Sequence, residues 1–296
     1  MTTASKTAAP AKKRQFKYGS AGFLLTVPFV LYILTFFIIP LCSVAAMSTY
    51  SVNDNYEISK VFTIENFKEV FDIRYLPILL RSAKFAIITT ILCIMLAYPL
   101  AWFISRYGGK RKLLWLMFLM MPFWTSYLVR IFSWITLLQT EGVINNFLLY
   151  IGIISEPINM LNTPFSVILG LTYGFLPFAT LPIFSNLEKL DNNLLNASAD
   201  LGASPLATFF KVVLPLSLTG ITSAFILTFI PAMGDFVTPE LLGDVNTQLI
   251  GNLIQQQYLG TFNWPLGSAL ALVLMIIMLM IIASFSRYIG SLEDLA

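Results

Sequence analysis

Residues 191–215 read DNNLLNASADLGASPLATFFKVVLP and predict two short helices joined by a tight turn. Asp191 is a suitable N-cap for the first helix, and Gly202 stands where a C′ glycine would end it. Ser204 then caps the second helix, with Pro205 at its first position, where the missing N–H costs nothing.

Both helices are predicted to be amphipathic. One face of the first carries Leu194, Ser198 and Leu201. In the second, apolar residues recur at i, i+3, i+4 and i+7 and predict a single apolar face of Leu206, Phe209, Phe210 and Val213. We therefore expect residues 191–215 to form a compact knob with one apolar and one polar side, to which a partner protein could bind.

The composition is that of an integral membrane protein. The chain has 296 residues, of which 57% are hydrophobic and 11% charged, and its mean hydropathy is +0.79. Soluble globular proteins carry about 25% charged residues. The predicted fold class is therefore all-α, a bundle of membrane-spanning helices.

The sequence offers little catalytic chemistry. It has no histidine, which removes the commonest general base and metal ligand. Cys42 and Cys93 lie in apolar runs and indicate no disulfide or metal framework. Because the chain has no GxxxxGK[ST] loop, we expect it to bind no cofactor, and ATP with Mg²⁺ would be held by another chain. Basic clusters at the edges of spans are orientation signals, so no nucleic-acid surface is indicated.

Six apolar stretches predict six membrane spans, at about 21–47, 82–104, 113–138, 163–187, 216–233 and 266–285. Residues 1–18 are small, polar and basic and predict a disordered N-terminus, whereas 19–296 form one six-span domain. The first stretch is too long for a signal-peptide core, so we expect an uncleaved anchor that Pro28 and Pro40 kink. Several prolines and glycines in the fourth stretch predict an irregular helix that is buried against protein.

Basic residues orient this bundle. Clusters at 12–17 and 106–112 flank the first two spans, and the positive-inside rule puts both in the cytoplasm. Six spans then leave both termini cytoplasmic and put the knob on the same side, between the fourth and fifth spans. The acidic segment 48–80 becomes an outer loop, with room for a small helix around 64–71.

The third predicted span carries an aromatic and polar face. On a wheel of 3.6 residues per turn, five residues fall within about 60°, namely Phe123, Tyr127, Arg130, Trp134 and Glu141. With the adjacent Trp124, they predict part of a substrate pathway, since ionisable residues in spans are functional candidates. The alternative is that Arg130 reaches the outer headgroups, with Trp124 and Trp134 as interfacial belt aromatics.

Two carboxylates, Asp235 and Glu240, flank the outer end of the fifth span. Carboxylates beside aromatic rings suit an organic cation, because charge pairing adds to cation–π contacts of about 0.5–2 kcal/mol per ring. Arg130 argues against a cation unless it forms a structural ion pair, with Glu141 or Asp235 as the candidate partner. The alternative is that these acids lie in a solvated outer loop.

The knob resembles the signature loop of permease subunits from ABC importers. That pattern is Glu-Ala-Ala, three residues, Gly, nine residues, Ile, one residue and Leu-Pro, and the matching positions here are Asn196-Ala197-Ser198, Gly202, Val212 and Leu214-Pro215. The resemblance implies a coupling helix that docks into a cytoplasmic ATPase through Asn196, Ala197, Asp200, Gly202, Ala203, Ser204, Leu214 and Pro215. Asn196 replaces the family glutamate and cannot supply its carboxylate contact. The alternative is a helical hairpin with no coupling role.

Further stretches are similar to the first permease subunit of bacterial spermidine/putrescine importers, namely MPFWTSYLVRIFSWITLLQTEGVINNFL, LEKLDNNLL, PAMGDFVTPELLG and NWP. The resemblance implies a type I ABC importer permease in the bacterial inner membrane that moves polyamines by alternating access. It also implies a cytoplasmic ATP-binding subunit dimer, a second homologous permease and a periplasmic polyamine-binding protein as partners. The alternatives are an importer subunit for iron or another small solute, a stand-alone transporter or channel, or a membrane-embedded enzyme.

Overall fold

The computed structural model describes residues 21–53 and 57–293, with side chains from 26 to 285, and these residues are mostly helical. The predicted N-terminal segment 1–18 lies outside the described residues. The chain divides into two units, Met1–Ala46 and Met47–Ala296.

The first unit is one helical run over its described length, and it coincides with the first predicted span. Helix α1 spans Ala21–Ile33, a π-helical turn spans Leu34–Ile38, and α2 spans Ile39–Met47. The two prolines expected to kink the run lie on either side of the π turn, Pro28 within α1 and Pro40 in α2. The helical hydrogen-bonding pattern therefore changes from α to π and back to α between the two prolines.

The second unit opens with an antiparallel ribbon of two strands, β1 (Tyr50–Val52) and β2 (Ile58–Phe62). Helix α3 (Glu65–Val70) follows, which confirms the small helix predicted around 64–71. The remaining helices are α4 (Leu76–Tyr107), α5 (Lys112–Met120), α6 (Tyr127–Leu138), α7 (Val143–Tyr150), α8 (Pro164–Glu188), α9 (Asn192–Asp200), α10 (Pro205–Thr208), α11 (Leu214–Leu216), α12 (Leu218–Gly234), α13 (Val237–Leu242), α14 (Ile250–Gln255) and α15 (Trp264–Glu293).

Within the described residues, four helical segments are long and apolar enough to cross a bilayer, namely Thr26–Met47, Leu76–Tyr107, Pro164–Glu188 and Trp264–Phe285. Two bent pairs raise the number to six when each pair counts as one span. The bent pairs are Gly109–Trp124 with Tyr127–Tyr150, and Pro205–Leu216 with Leu218–Gly234. All six segments overlap the predicted apolar stretches, and α4 extends beyond its stretch at both ends.

The third predicted stretch is broken, because its two arms meet at 86°. Pro122 has no N–H to donate, and Thr125 and Ser126 are extended, with ψ of 156° and 139°. The Thr125 hydroxyl donates to the Pro122 carbonyl (2.7 Å), which satisfies an acceptor near the break. The single straight helix predicted for 113–138 is therefore wrong.

Helix α8 is continuous from Pro164 to Glu188 although it contains Pro177 and Pro182, neither of which has an N–H to donate. Its predicted burial is confirmed, because Ala179, Ile183 and Leu187 are fully buried in a cluster with residues of α4 and α12. Packing against neighbouring helices supports a proline-containing helix that would be costly alone.

Helices α4, α8 and α12 pack together at the centre of the second unit, and small residues allow close approach. A Cβ added to Gly220 of α12 would lie 2.7 Å from the Asn186 Cβ of α8. A Cβ added to Gly170 of α8 would lie 2.5 Å from Leu242 Cδ1 of α13. These contacts hold α12 and α13 against the same central helix, α8.

Helix α4 joins the two ends of this unit. Near its start, the Ser82 hydroxyl accepts a hydrogen bond from the Ile250 N–H of α14 (2.7 Å). Near its end, the Arg106 guanidinium donates to Asn192 Oδ1 of α9. A rise of 1.5 Å per residue separates Ser82 from Arg106 by roughly 36 Å, more than the ~30 Å hydrocarbon core of a bilayer. The knob and the α13–α14 segment therefore lie at opposite ends of the bundle.

Candidate functional site

The caps predicted for the knob are confirmed. The Asp191 side chain accepts a hydrogen bond from the Asn193 N–H (2.9 Å), and the Ser204 side chain accepts one from the Ala207 N–H (3.3 Å). Gly202 adopts a φ of +78°, the left-handed conformation that an αL helix terminus requires. Local sequence alone therefore determines where both knob helices begin and where the first ends.

The turn at Gly202 closes with two hydrogen bonds. The Gly202 N–H donates to the Ala199 carbonyl (2.8 Å), and the Ala203 N–H donates to the Ser198 carbonyl (3.1 Å). This is the Schellman pattern, in which the residues after the helix satisfy its last carbonyls. The Ser198 and Thr208 hydroxyls also hydrogen bond across the turn at 2.8 Å, so the two helices hold each other.

The apolar residues of the second knob helix do not share one face, so that prediction is wrong. Val213 is buried and Phe209 half-buried, whereas Leu206 is 71% and Phe210 61% exposed. The reason is that α10 continues as a π-helical turn, Phe209–Val213, which shifts the period of the side chains. The knob thus has an inner apolar side that packs against the rest of the protein and an outer apolar side that is exposed.

The inner side of the knob is attached to α4. The Tyr98 ring packs edge-on against the Phe209 ring, with 5.6 Å between centroids. The Tyr98 hydroxyl hydrogen bonds to Ser217 Oγ at 2.8 Å, just after the knob. Arg106, which lies over the Trp102 ring at 5.1 Å, also donates to the Leu190 carbonyl (3.5 Å) just before the knob. Helix α4 therefore contacts the chain at both ends of the knob.

The outer side carries most of the residues that the signature-loop resemblance selects. Exposed are Asn196, Ala197, Asp200, Gly202, Ser204 and Pro215, whereas Ala203 and Leu214 are half-buried. Leu201, at 89% exposed, lies among them. Leu201, Leu206 and Phe210 thus give the knob three exposed apolar side chains, which suit a protein partner.

At the bend between α5 and α6, aromatic rings surround Arg130. Its guanidinium carbon lies 4.3 Å from the Phe123 ring centroid and 5.3 Å from that of Tyr127. Tyr173 of α8 stacks on Phe123 (6.1 Å) and meets Trp134 edge-on (5.4 Å). The structure thus brings together four of the predicted pathway residues, and Tyr173 is a fifth that sequence reasoning missed.

Arg130 has no ion pair with any described residue. Its Nε and Nη1 atoms are buried and have no hydrogen-bond partner there. A cavity of about 250 Å³ lies beside it, lined by Arg130, Ser133, Trp134, Leu137 and Tyr173. The pairing with Glu141 or Asp235 that the sequence suggested is therefore not present within the described part of the chain.

Two further predicted pathway residues lie apart from this ring cluster. Trp124 is 78% exposed, and Glu141 is exposed with its carboxylate in no ion pair among the described residues. The bend of the third span separates them, because the helical wheel on which Glu141 was placed beside Phe123 assumed a straight helix. Both remain predictions.

Asp235 lies at the start of α13 and is saturated with hydrogen bonds. Its Oδ1 accepts from the N–H groups of Val237 (2.9 Å) and Thr238 (3.3 Å). Its Oδ2 accepts from the hydroxyls of Tyr127 (2.6 Å) and Thr238. This carboxylate therefore caps α13 and ties it to α6, with donors already on both oxygens.

Glu240, one turn further on, is exposed and only partly engaged. Its Oε2 accepts a hydrogen bond from Asn252 Nδ2 (3.0 Å), and Oε1 has no partner among the described residues. A cavity of about 340 Å³ opens beside it, lined by Glu240, Gln248, Asn252, Gln255, Gln256, Leu259 and Gly260. Sequence reasoning missed Asn252, because its contact with Glu240 depends on how α13 and α14 pack.

A third cavity, of about 640 Å³, lies between the start of α4 and the α13–α14 connection. Its charged lining residues are Arg81, Lys84 and Asp244. The Thr247 hydroxyl donates to Asp244 Oδ1 (2.9 Å), and this hydrogen bond holds the pKa of Asp244 below its ordinary value. Two basic groups against one acid make this cavity a poor site for a cation.

Comparison with known proteins gives the family. Residues 18–290 match the family described as the inner membrane component of binding-protein-dependent transport systems. The chain is 39% identical over 254 residues to PotB of Escherichia coli K12, the spermidine/putrescine transport system permease, covering 86% of this chain and 92% of the relative. It is also 39% identical over 264 residues to PotB of Haemophilus influenzae, covering 89% and 92%.

A solved structure supports the fold. A chain of a bacterial alginate ABC transporter, crystallised with an alginate-bound periplasmic protein, superposes with a TM-score of 0.73 over 90% of this chain and 92% of that one. At 15% identity, this similarity concerns the fold alone. The protein is thus a multi-pass permease component of the inner membrane rather than an enzyme, and it belongs to the inner membrane components of binding-protein-dependent transport systems.

Proposed function

We propose that this chain is one of two permease subunits of an ATP-driven importer that carries polyamines such as spermidine and putrescine across the bacterial inner membrane. The observation that carries the proposal is the exposed apolar knob, mounted on α4 at the end of the bundle opposite Glu240. Relatives that are 39% identical and are named for spermidine/putrescine transport support the substrate class.

The knob is proposed to dock into a cytoplasmic ATP-binding subunit, which holds the ATP and Mg²⁺. Leu201, Leu206 and Phe210 project from it, and burying each such side chain is worth about 1.5–3 kcal/mol. Asn196 is exposed but carries no charge, so this docking rests on apolar contact and helix shape rather than on a carboxylate.

This proposal fixes an orientation for the bundle. A knob in the cytoplasm puts both chain termini on the same side after six spans, in agreement with the basic clusters at 12–17 and 106–112. The α13–α14 segment then faces the periplasm, where a polyamine-binding protein delivers its ligand. A second, homologous permease completes the pathway.

The mechanism follows from how the knob is mounted. Closure of the ATPase dimer displaces the knob, and the contacts of Tyr98 and Arg106 transmit the displacement to α4. Helices α8 and α12 pack against α4 and move with it. The pathway then opens alternately to the periplasm and the cytoplasm, as alternating access requires.

A co-purification experiment tests the assembly. An affinity tag on this chain should retain an ATP-binding subunit and a second permease from detergent-solubilised membranes. Changing both Leu206 and Phe210 to Ser should release the ATP-binding subunit and leave the second permease bound. A chain that conducts or transports alone in liposomes would instead be a channel or secondary transporter.

Uptake of radiolabelled spermidine and putrescine tests the substrate. The complete transporter in proteoliposomes, with its binding protein outside and ATP inside, should accumulate both in an ATP-dependent way. Asp235→Asn and Glu240→Gln should each lower uptake. Accumulation of iron or another organic cation in place of polyamines would refute the substrate class but retain the importer assignment.

A further inference from the structure

We infer that the cavity beside Glu240 is an outer receiving site that holds one protonated terminal amine of an aliphatic polyamine. This inference rests on the proposed function and adds a specific site to it. Of the three cavities described above, this is the one whose charged lining residue is an acid, because the others carry Arg130 or the pair Arg81 and Lys84.

The chemistry of the lining matches an ammonium group. An –NH₃⁺ has three N–H donors and no acceptor, so it requires several oxygen acceptors, of which one should be charged. Glu240 supplies a carboxylate oxygen without a partner among the described residues, and Gln248, Gln255 and Gln256 supply amide oxygens. A single full charge surrounded by amides binds an amine weakly enough to release it, as a transport site must.

Asn252 orients this carboxylate. It is 4% exposed, and its Nδ2 donates both to Glu240 Oε2 (3.0 Å) and to the Phe236 carbonyl (2.8 Å). Its Oδ1 accepts from the Leu249 N–H (3.2 Å), so a flipped amide would lose these hydrogen bonds. Asn252 is therefore a positioning residue that holds one oxygen of Glu240 and leaves the other for a ligand.

The wall opposite Glu240 is a π-helical turn, Gln256–Gly260. The Thr261 N–H closes it on the Gln256 carbonyl (2.9 Å), and the Thr261 hydroxyl donates to Oε1 of the buried Gln257 (2.9 Å). Such turns occur frequently at functional sites. This one fixes Gln255 and Gln256 at the edge of the cavity.

The site is anchored to the membrane-spanning helices. Helix α14 is held to α4 by the hydrogen bond from the Ile250 N–H to Ser82. A Cβ on Gly251 would lie 2.6 Å from the Gly234 carbonyl, so α14 also packs closely on the end of α12. An amine bound here lies at the end of the bundle opposite the knob, where a substrate arrives.

The site is tested in the complete transporter by asking whether putrescine protects an introduced cysteine from chemical labelling. Leu259→Cys, at an exposed lining residue that is not one of the proposed amine ligands, in a background with the exposed Cys42 changed to Ser and the buried Cys93 kept, is labelled with a small maleimide in nanodiscs without binding protein. Single amine contacts of this kind have roughly millimolar affinity, so about 10 mM putrescine should slow labelling roughly tenfold. Val245→Cys, 80% exposed and outside the cavity lining, is the control that putrescine should not protect.

Variants separate the charge from the fold. Glu240→Gln keeps an acceptor for Asn252 but removes the charge, so putrescine should no longer protect the cysteine from labelling. Glu156→Gln removes an exposed charge outside the cavity, and protection by putrescine should persist. Asn252→Ala should weaken protection and leave the labelling rate without putrescine unchanged, which a purely structural role would not predict.

Three outcomes would overturn the inference. The first is equal labelling with and without putrescine in a transporter that imports polyamines, which refutes this site but not the proposed function. The second is equal protection by choline, which has no N–H donor, or by calcium chloride. The third is protection by amine-free binding protein but not by putrescine, which would make the cavity a docking surface.

Discussion

Changing Gly202 to Val should uncouple the knob. The φ of Gly202 is +78°, and nothing lies within 4 Å of an added Cβ, so the substitution strains the backbone without a clash. A β-branched residue in this left-handed conformation costs about 1–3 kcal/mol. The turn that carries the hydrogen bonds to Ala199 and Ser198 is the part of the knob that loses stability.

The magnitude follows from that strain. A cost of about 2 kcal/mol lowers the ratio of closed to open turn roughly 30-fold, because each 1.4 kcal/mol is a factor of ten. Helix α9 is too short to persist without its terminus, since isolated helices below about 12 residues are marginal in water. We therefore expect ATP-driven uptake to fall by about tenfold or more, with membrane insertion unaffected.

Two matched variants control the experiment. Gly202→Asn should retain most activity, because Asn tolerates the left-handed conformation at a helix terminus. Gly152, after α7, has a φ of +72° and equally free space, so Gly152→Val imposes the same strain away from the knob. Uptake and ATP hydrolysis are measured together in proteoliposomes. Full uptake by Gly202→Val, or equal losses in Gly202→Val and Gly152→Val, would refute the coupling role of the turn.

Three other variants probe the end of the bundle near α13. Gly170→Ala should lower the free energy of unfolding by about 1–3 kcal/mol, because the new methyl group overpacks the contact with α13; thermal unfolding in detergent measures it. Tyr127→Phe removes one donor to the Asp235 carboxylate and should cost about 1.5–3 kcal/mol in the same assay. The Thr247 hydroxyl holds the pKa of Asp244 below its ordinary value of 3.8. The ionised Asp244 carboxylate therefore stabilises the folded chain above about pH 4, and this contribution is lost as the pH falls through the lower pKa of the folded state. Asp244→Asn removes the titrating group. The melting temperature of this variant should therefore fall less steeply with decreasing pH.

Each of these variants has a control in the same chain. Gly234→Ala meets no atom within 4 Å and should leave the melting temperature unchanged. Tyr150→Phe alters an exposed tyrosine that has no hydrogen-bonded hydroxyl among the described residues. Glu156→Gln removes an exposed acid for comparison with Asp244→Asn. If a control variant loses as much stability as the variant with which it is paired, the contact assigned to that variant is refuted.

Local features of the knob could be predicted from sequence, whereas its packing could not. The roles of Asp191, Gly202 and Ser204 depend on backbone geometry within a few residues, and all three were predicted correctly. The division of the second helix into inner and outer apolar sides was not predicted, because the helix continues as a π turn whose Phe209 packs on Tyr98 of α4. Periodicity assumes a uniform helix and fails where tertiary contacts insert a residue.

The ring cluster around Arg130 shows the same limit. The sequence identified Phe123, Tyr127, Arg130 and Trp134, but the straight helix used to group them is broken after Trp124. Pro122 was the available signal for that break. Tyr173 and Asn252 could not have been found from spacing, because each meets its partners only through the packing of separate helices.

Helix α4 has a consequence for signalling between the two faces of the membrane. It contacts the knob through Arg106 and α14 through Ser82, and it is one continuous α-helix between them. Over roughly 36 Å, a tilt of about 10° about its middle moves each end by about 3 Å in opposite directions. Such a tilt would couple the two ends of the bundle without any change in secondary structure. Under the proposed function, ligand arrival outside and nucleotide turnover inside would then influence each other through α4.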